Sequence, residues 1–78
     1  MQDKEELLKL GKHIKTLRLN HNLSLENFCF KNAIEPSTLS RIENGIVEAK
    51  YLTLLKISKA FGLTLSELLD FNNTNSNA

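Results

Sequence analysis

Between Leu25 and Gly45 the chain reads LENFCFKNAIEPSTLSRIENG, and this stretch restricts the possible folds more than any other. Leu25, Phe28 and Cys29 stand at i, i+3 and i+4, one face of a helix. Leu39 and Ile42 are three apart and mark the inward face of a second helix. Only Asn32 to Pro36 lies between the two periodic runs, which leaves room for a tight turn and nothing larger. Ser24 is suited to N-cap the first helix. Pro36 suits the first turn of the second, where its missing N–H is not needed. Gly45 is a good residue for the position after that helix ends. The spacing predicts helices over 25–31 and 36–44, held at an angle by a turn of a few residues.

The rest of the chain supplies more short helices and no strand signals. Asp3 and Glu6 read as a capping box opening a helix over 4–20, with Leu7, Leu10, Ile14 and Leu17 on one face. Gly11 interrupts this helix at a cost of about 1 kcal/mol against Ala without breaking it. A fourth helix is predicted over 50–61, with Tyr51, Leu54, Leu55, Ser58 and Phe61 on a broad inner face and Lys56 and Lys59 opposite. Gly62 stops it. Thr64 and Glu67 form a second capping box for a short helix over 64–70, whose inner side is Leu65, Leu68 and Leu69. The tail over 72–78, NNTNSNA, has no apolar anchor and is expected to be disordered. The expectation is one domain over 1–71, all-α, with five helices around one small core.

The stretch over 25–45 resembles the helix-turn-helix of the phage-repressor and Cro family, also called the XRE family. That family's unit has a small residue at its fifth place, here Cys29, and an apolar residue at its tenth, here Ile34. It ends Leu/Ile-Ser-Arg-x-Glu-Asn-Gly, matched by Leu39-Ser40-Arg41-Ile42-Glu43-Asn44-Gly45. The likeness extends from about Gly11 to Leu69. Three positions depart from the pattern. The family's frequent Gln at the first place is Leu25, and the turn Gly is Ala33. The loop after the unit, often basic, reads Ile46-Val47-Glu48-Ala49-Lys50.

The resemblance implies a compact, lambda-repressor-like five-helix fold that places the second helix of the unit, 36–44, in the major groove of double-stranded DNA. Ser37 and Thr38 in its first turn, Ser40 and Arg41 after them, are then the candidate base and phosphate contacts. Arg41 carries the most weight, because its fork matches the O6/N7 edge of guanine. Pro36 offers apolar contact to a thymine methyl. Ser24, Asn44 and Lys50 are candidates for phosphates. The resemblance also pairs Arg18 with Glu43 as an ion pair orienting the recognition helix, so Glu43 is structural. The function implied is a sequence-specific transcriptional regulator, a dimer on a two-fold operator. The apolar candidates for that dimer are Ile46, Val47, Leu63, Leu65, Leu69 and Phe71, with Phe30 as a second site.

Composition bounds the alternatives. Ten basic and nine acidic residues give a net charge of +1, weak for a nucleic-acid binder. Any DNA site must therefore come from local arrangement of charge. The same near-neutrality supports a second reading, a protein-interaction module or toxin-linked antitoxin that keeps the fold with weak DNA binding. The single Cys excludes an internal disulfide, and Cys29 reads as a small buried hydrophobe. His13 and His21 lack further ligands at metal spacing, so no metal or cofactor is expected. Ser37 and Ser40 lack a nearby base, so no enzymatic activity is expected. No small-molecule ligand or membrane span is expected, and the polar N-terminus MQDKEE is unlike a signal peptide. A cytoplasmic location follows as an expectation.

Overall fold

The computed structural model describes residues 2–71. The expected disorder of 72–78 lies outside them. The described residues form α1 (Gln2–Asn20), α2 (Leu25–Asn32), α3 (Pro36–Glu43), α4 (Tyr51–Ala60) and α5 (Leu65–Leu68), with no strand among them. The all-α, five-helix expectation holds, and the predicted helix ends lie within two residues of the observed ones.

The core is one cluster drawn from all five helices. Ile14 of α1, Phe28 and Cys29 of α2, Leu39 and Ile42 of α3, Ile57 of α4 and Leu68 of α5 are all buried in it. Burial of each large side chain is worth about 1.5–3 kcal/mol. Phe28 stacks on Phe61 with ring centroids 5.1 Å apart, closing the cluster beneath α4. The Cys29 thiol is pushed above its ordinary pKa by burial, which keeps it protonated and inert.

The first four helices stop by the same device. Each is followed by a residue with positive φ: Asn22 (59°), Ala33 (56°), Gly45 (70°) and Gly62 (70°). The next N–H then reaches back five residues: Leu23 to the Arg18 carbonyl, Ile34 to Cys29, Ile46 to Arg41 and Leu63 to Ser58. These are Schellman closures, which satisfy carbonyls the helix would leave bare. Ala33 is the costly member, because a Cβ disfavours the left-handed region by roughly 1–2 kcal/mol. Its side chain is exposed and gives little packing in return. Ala33→Gly is therefore expected to raise stability by about 0.5–1 kcal/mol, after allowing for the looser unfolded chain. Urea unfolding checks this, and an unchanged or lower midpoint would contradict the strain argument.

Several local expectations are corrected. Asp3 does not cap α1. The helix runs back to Gln2, so Asp3 and Glu5 lie inside the first turn, where carboxylates favour the positive end of the dipole. The second capping box does form: Thr64 Oγ1 accepts from the Glu67 N–H at 3.0 Å, and the Thr64 N–H donates to Glu67 Oε1 at 2.9 Å. Tyr51 is not on the inner side of α4. It is 63% exposed, and Ile57, absent from the predicted face, is fully buried. Leu69 lies just past α5 as its C-cap and is 40% exposed, so it is not part of the buried side.

Candidate nucleic-acid interface

The second helix of the unit is held from behind by charge. Arg18 on α1 donates from Nε to Glu43 Oε2 at 2.8 Å and from Nη2 to Glu43 Oε1 at 2.9 Å. Its remaining nitrogen, Nη1, donates to the Leu23 carbonyl at 2.9 Å. Both residues are buried, Arg18 to 5% and Glu43 to 8% exposure. A bidentate pair in this setting fixes direction as well as distance. The hydrogen bonds to Glu43 hold the Arg18 guanidinium above its ordinary pKa, against the opposing effect of burial. The cation therefore stays charged wherever the protein is folded. One guanidinium thus ties α1, the end of α3 and the α1–α2 corner together.

Gly11 lets that contact be close. A methyl built on its Cα would overlap the carbonyl oxygens of Ile42 and Glu43. Gly45 lies similarly against Leu8, where an added Cβ would sit 2.7 Å from Cδ2. The C-terminal end of α3 therefore rests on the backbone of α1 with no side chain between them at Gly11.

With Leu39, Ile42 and Glu43 turned inward, the opposite face of α3 is open. Pro36, Ser37, Arg41 and Asn44 are exposed, and Thr38 and Ser40 are half-buried. Ser37, Arg41 and Asn44 stand at i, i+4 and i+7, one stripe of the helix. Asn44 is partly occupied by its own helix: Nδ2 donates to the Ser40 carbonyl at 2.9 Å. Its Oδ1 and a second hydrogen on Nδ2, which lies 3.5 Å from Ser40 Oγ, remain for a contact beyond the helix. Ser24 accepts from the Asn27 N–H at 3.1 Å, capping α2, and its own O–H is left to donate outward. Lys50 is exposed at the N-cap of α4.

Beside the stripe, α3, the following loop and α4 enclose a groove of about 370 Å³. Thr38, Arg41, Lys50, Thr53 and Lys56 line it, with Glu35 and Glu48 among them. Thr53 and Lys56 are not among the sequence candidates, because nothing in the periodicity of α4 distinguishes a groove wall from a solvated face. Glu48 places an opposing charge beside the cations, which accords with the near-neutral composition.

The proposed association residues divide. Ile46 stays open at 68% exposure and Leu69 at 40%. Val47, Leu63 and Leu65 pack against the core instead. Phe71 is half-buried, its ring 5.2 Å from that of His13. Phe30 is 88% exposed. Leu52, at 69%, is an exposed apolar residue that helical period alone did not single out.

Among the described residues no group of His, Cys, Asp or Glu is placed to hold a metal ion, and no helix is long and apolar enough to cross a membrane.

Comparison with known proteins agrees with this geometry. The chain is similar to the crystal structure of the restriction-modification controller protein C.AhdI from Aeromonas hydrophila, with 26% identity, a TM-score of 0.77, and coverage of 82% of this chain and 97% of that one. It shares its fold with the clp gene regulator ClgR from Corynebacterium glutamicum, with 20% identity, a TM-score of 0.79, and coverage of 90% of this chain and 74% of that one. No curated protein sequence matches significantly. The family model described as helix-turn-helix matches residues 14–68, from the buried Ile14 of α1 to the buried Leu68 of α5. The chain belongs to the XRE-type helix-turn-helix family, the phage-repressor and Cro kind.

Proposed function

We propose that this protein is a sequence-specific transcriptional regulator that binds a two-fold operator as a homodimer, with α3 in the major groove. The observation that carries the reading is the division of α3 into a clamped inner face and an open polar outer stripe. The family, and the likeness to a restriction-modification controller protein, support DNA binding and regulation. Arg41 reads a base, Ser37, Thr38, Ser40 and Asn44 support it, and Pro36 contacts a thymine methyl. Ser24 and Lys50 hold phosphates on either side. The protein acts by occupancy rather than by chemistry, in the cytoplasm, where its operator lies.

A single α3 contacts only a few base pairs, so selectivity needs a second copy about 34 Å away, one turn of DNA. Ile46 and Leu69 remain exposed to serve such a contact, and Leu52 joins them. Selection of duplexes from a random pool tests the reading, and two inverted half-sites one turn apart are expected. Arg41→Ala is expected to weaken binding to the selected site by about 1–3 kcal/mol and to relax preference at one position per half-site. Its unfolding midpoint should not move, because Arg41 is exposed. Equal affinity in the variant would contradict the placing of Arg41 on a base, and a pool that yields no preferred duplex would favour the interaction-module reading instead.

A further inference from the structure

The N-terminal end of α3 has weaker local fastening than its C-terminal end. Pro36 at its start carries no N–H, and the N-cap residue Glu35 makes no side-chain capping bond. Only Ile34 and Glu35 separate α3 from the left-handed Ala33. Any play in that residue is passed directly to the helix axis. Within α2 the other closing groups are accounted for locally. Asn32 Nδ2 donates to the Phe28 carbonyl at 2.8 Å, and the Ile34 N–H to the Cys29 carbonyl at 3.0 Å. The Ala33 carbonyl is met from elsewhere in the fold: Lys56 of α4, 23 residues on, donates to it from Nζ at 3.0 Å. An ammonium at the C-terminal end of α2 also opposes the negative end of that helix dipole.

We infer that Lys56 is a positioning residue for DNA reading: by holding the Ala33 carbonyl it locks the α2–α3 turn to α4 and sets the angle at which α3 is presented. The inference rests on the proposed function. Arg18–Glu43 fixes one end of α3 from α1, and Lys56 fixes the other from α4. Lys56 also lines the groove beside Arg41, where a cation could instead meet a phosphate. The two roles differ in their dependence on salt. A phosphate contact supports all sequences alike and contributes about one unit of salt slope. A positioning contact supports the matched sequence and contributes none.

The experiment compares wild type, Lys56→Met and Lys56→Arg on the selected duplex and on a random duplex at several salt concentrations. Amide shifts of the free proteins are recorded alongside. Lys56→Met is expected to bind the selected duplex about two- to fivefold more weakly, the range for one exposed charged contact. Its affinity for random duplex and its salt slope should match wild type, and the Ile34 and Glu35 amides should move. Lys56→Arg, which keeps a cationic donor, should recover most of the selected affinity. Equal weakening on both duplexes with a slope lower by about one unit would overturn the inference in favour of a phosphate contact. Unchanged selected binding in Lys56→Met would overturn it while leaving the DNA reading intact. A wild-type chain that prefers no duplex would remove both.

Discussion

Glu43→Ala is expected to lower the unfolding free energy by about 3–5 kcal/mol, the cost of leaving a buried partner charge unmatched. Arg18 is 5% exposed, and two of its three nitrogens donate to Glu43. Without the carboxylate the guanidinium must stay buried unpaired or drag the α1–α2 corner open to reach water. The pair is not for that reason a large net source of stability, since desolvating both ions offsets much of their attraction. The double variant Arg18→Met, Glu43→Leu should therefore be far less damaging than the sum of the single changes. It still leaves the Leu23 carbonyl without its Arg18 donor, so some loss remains. Urea unfolding of Arg18→Met, Glu43→Leu and the double variant checks this. Additive single losses would contradict the coupling. DNA affinity provides a second readout, because the double variant keeps its fold but loses the geometric constraint on α3.

Gly11→Ala is expected to destabilise by about 1–3 kcal/mol, although Ala is the better helix former. The gain in helix propensity is about 1 kcal/mol and acts within α1 alone. The cost arises across the interface, where the new methyl meets the carbonyls of Ile42 and Glu43, backbone atoms that cannot rotate aside. Relief requires α1 and α3 to separate, which stretches the Arg18–Glu43 pair and tilts α3. Gly62→Ala is the useful contrast. Nothing lies within 4 Å of an added Cβ there, and its cost comes only from a φ of 70°. A Gly11→Ala protein as stable as wild type would show that the helices pack with slack that the structure does not have.

Much of this was legible in the sequence, and the failures have physical causes. The α2–α3 unit was readable because caps, period and turn length agree over 25–45. The Arg18–Glu43 pair came from family resemblance and not from spacing, since no local pattern relates residues 25 apart. Gly11 was read as a local penalty because its purpose lies on α3, more than 30 positions away. Ala33 stands where the family's turn has Gly, and it takes the left-handed backbone there at φ 56°. Period failed at the ends of short helices. Tyr51 begins α4 and overhangs the core, and Leu69 sits just past the last turn of the four-residue α5. The Lys56 bond to the turn left no trace in the pattern. A lysine on an outer face looks the same whether it is solvated or tied to a carbonyl.

The central claim is that α3 enters the major groove with Arg41 on a guanine edge. Dimethyl sulfate interference on the selected duplex tests it most directly, because methylation marks guanine N7 in the major groove and adenine N3 in the minor groove. Guanine N7 methylation at one position of each half-site is predicted to block binding of wild type. At that position it should make little further difference to Arg41→Ala, which has already lost the contact. Adenine N3 methylation within the half-sites should be tolerated by both. Binding indifferent to guanine N7 methylation and blocked by adenine N3 methylation would place the protein in the minor groove and contradict the account.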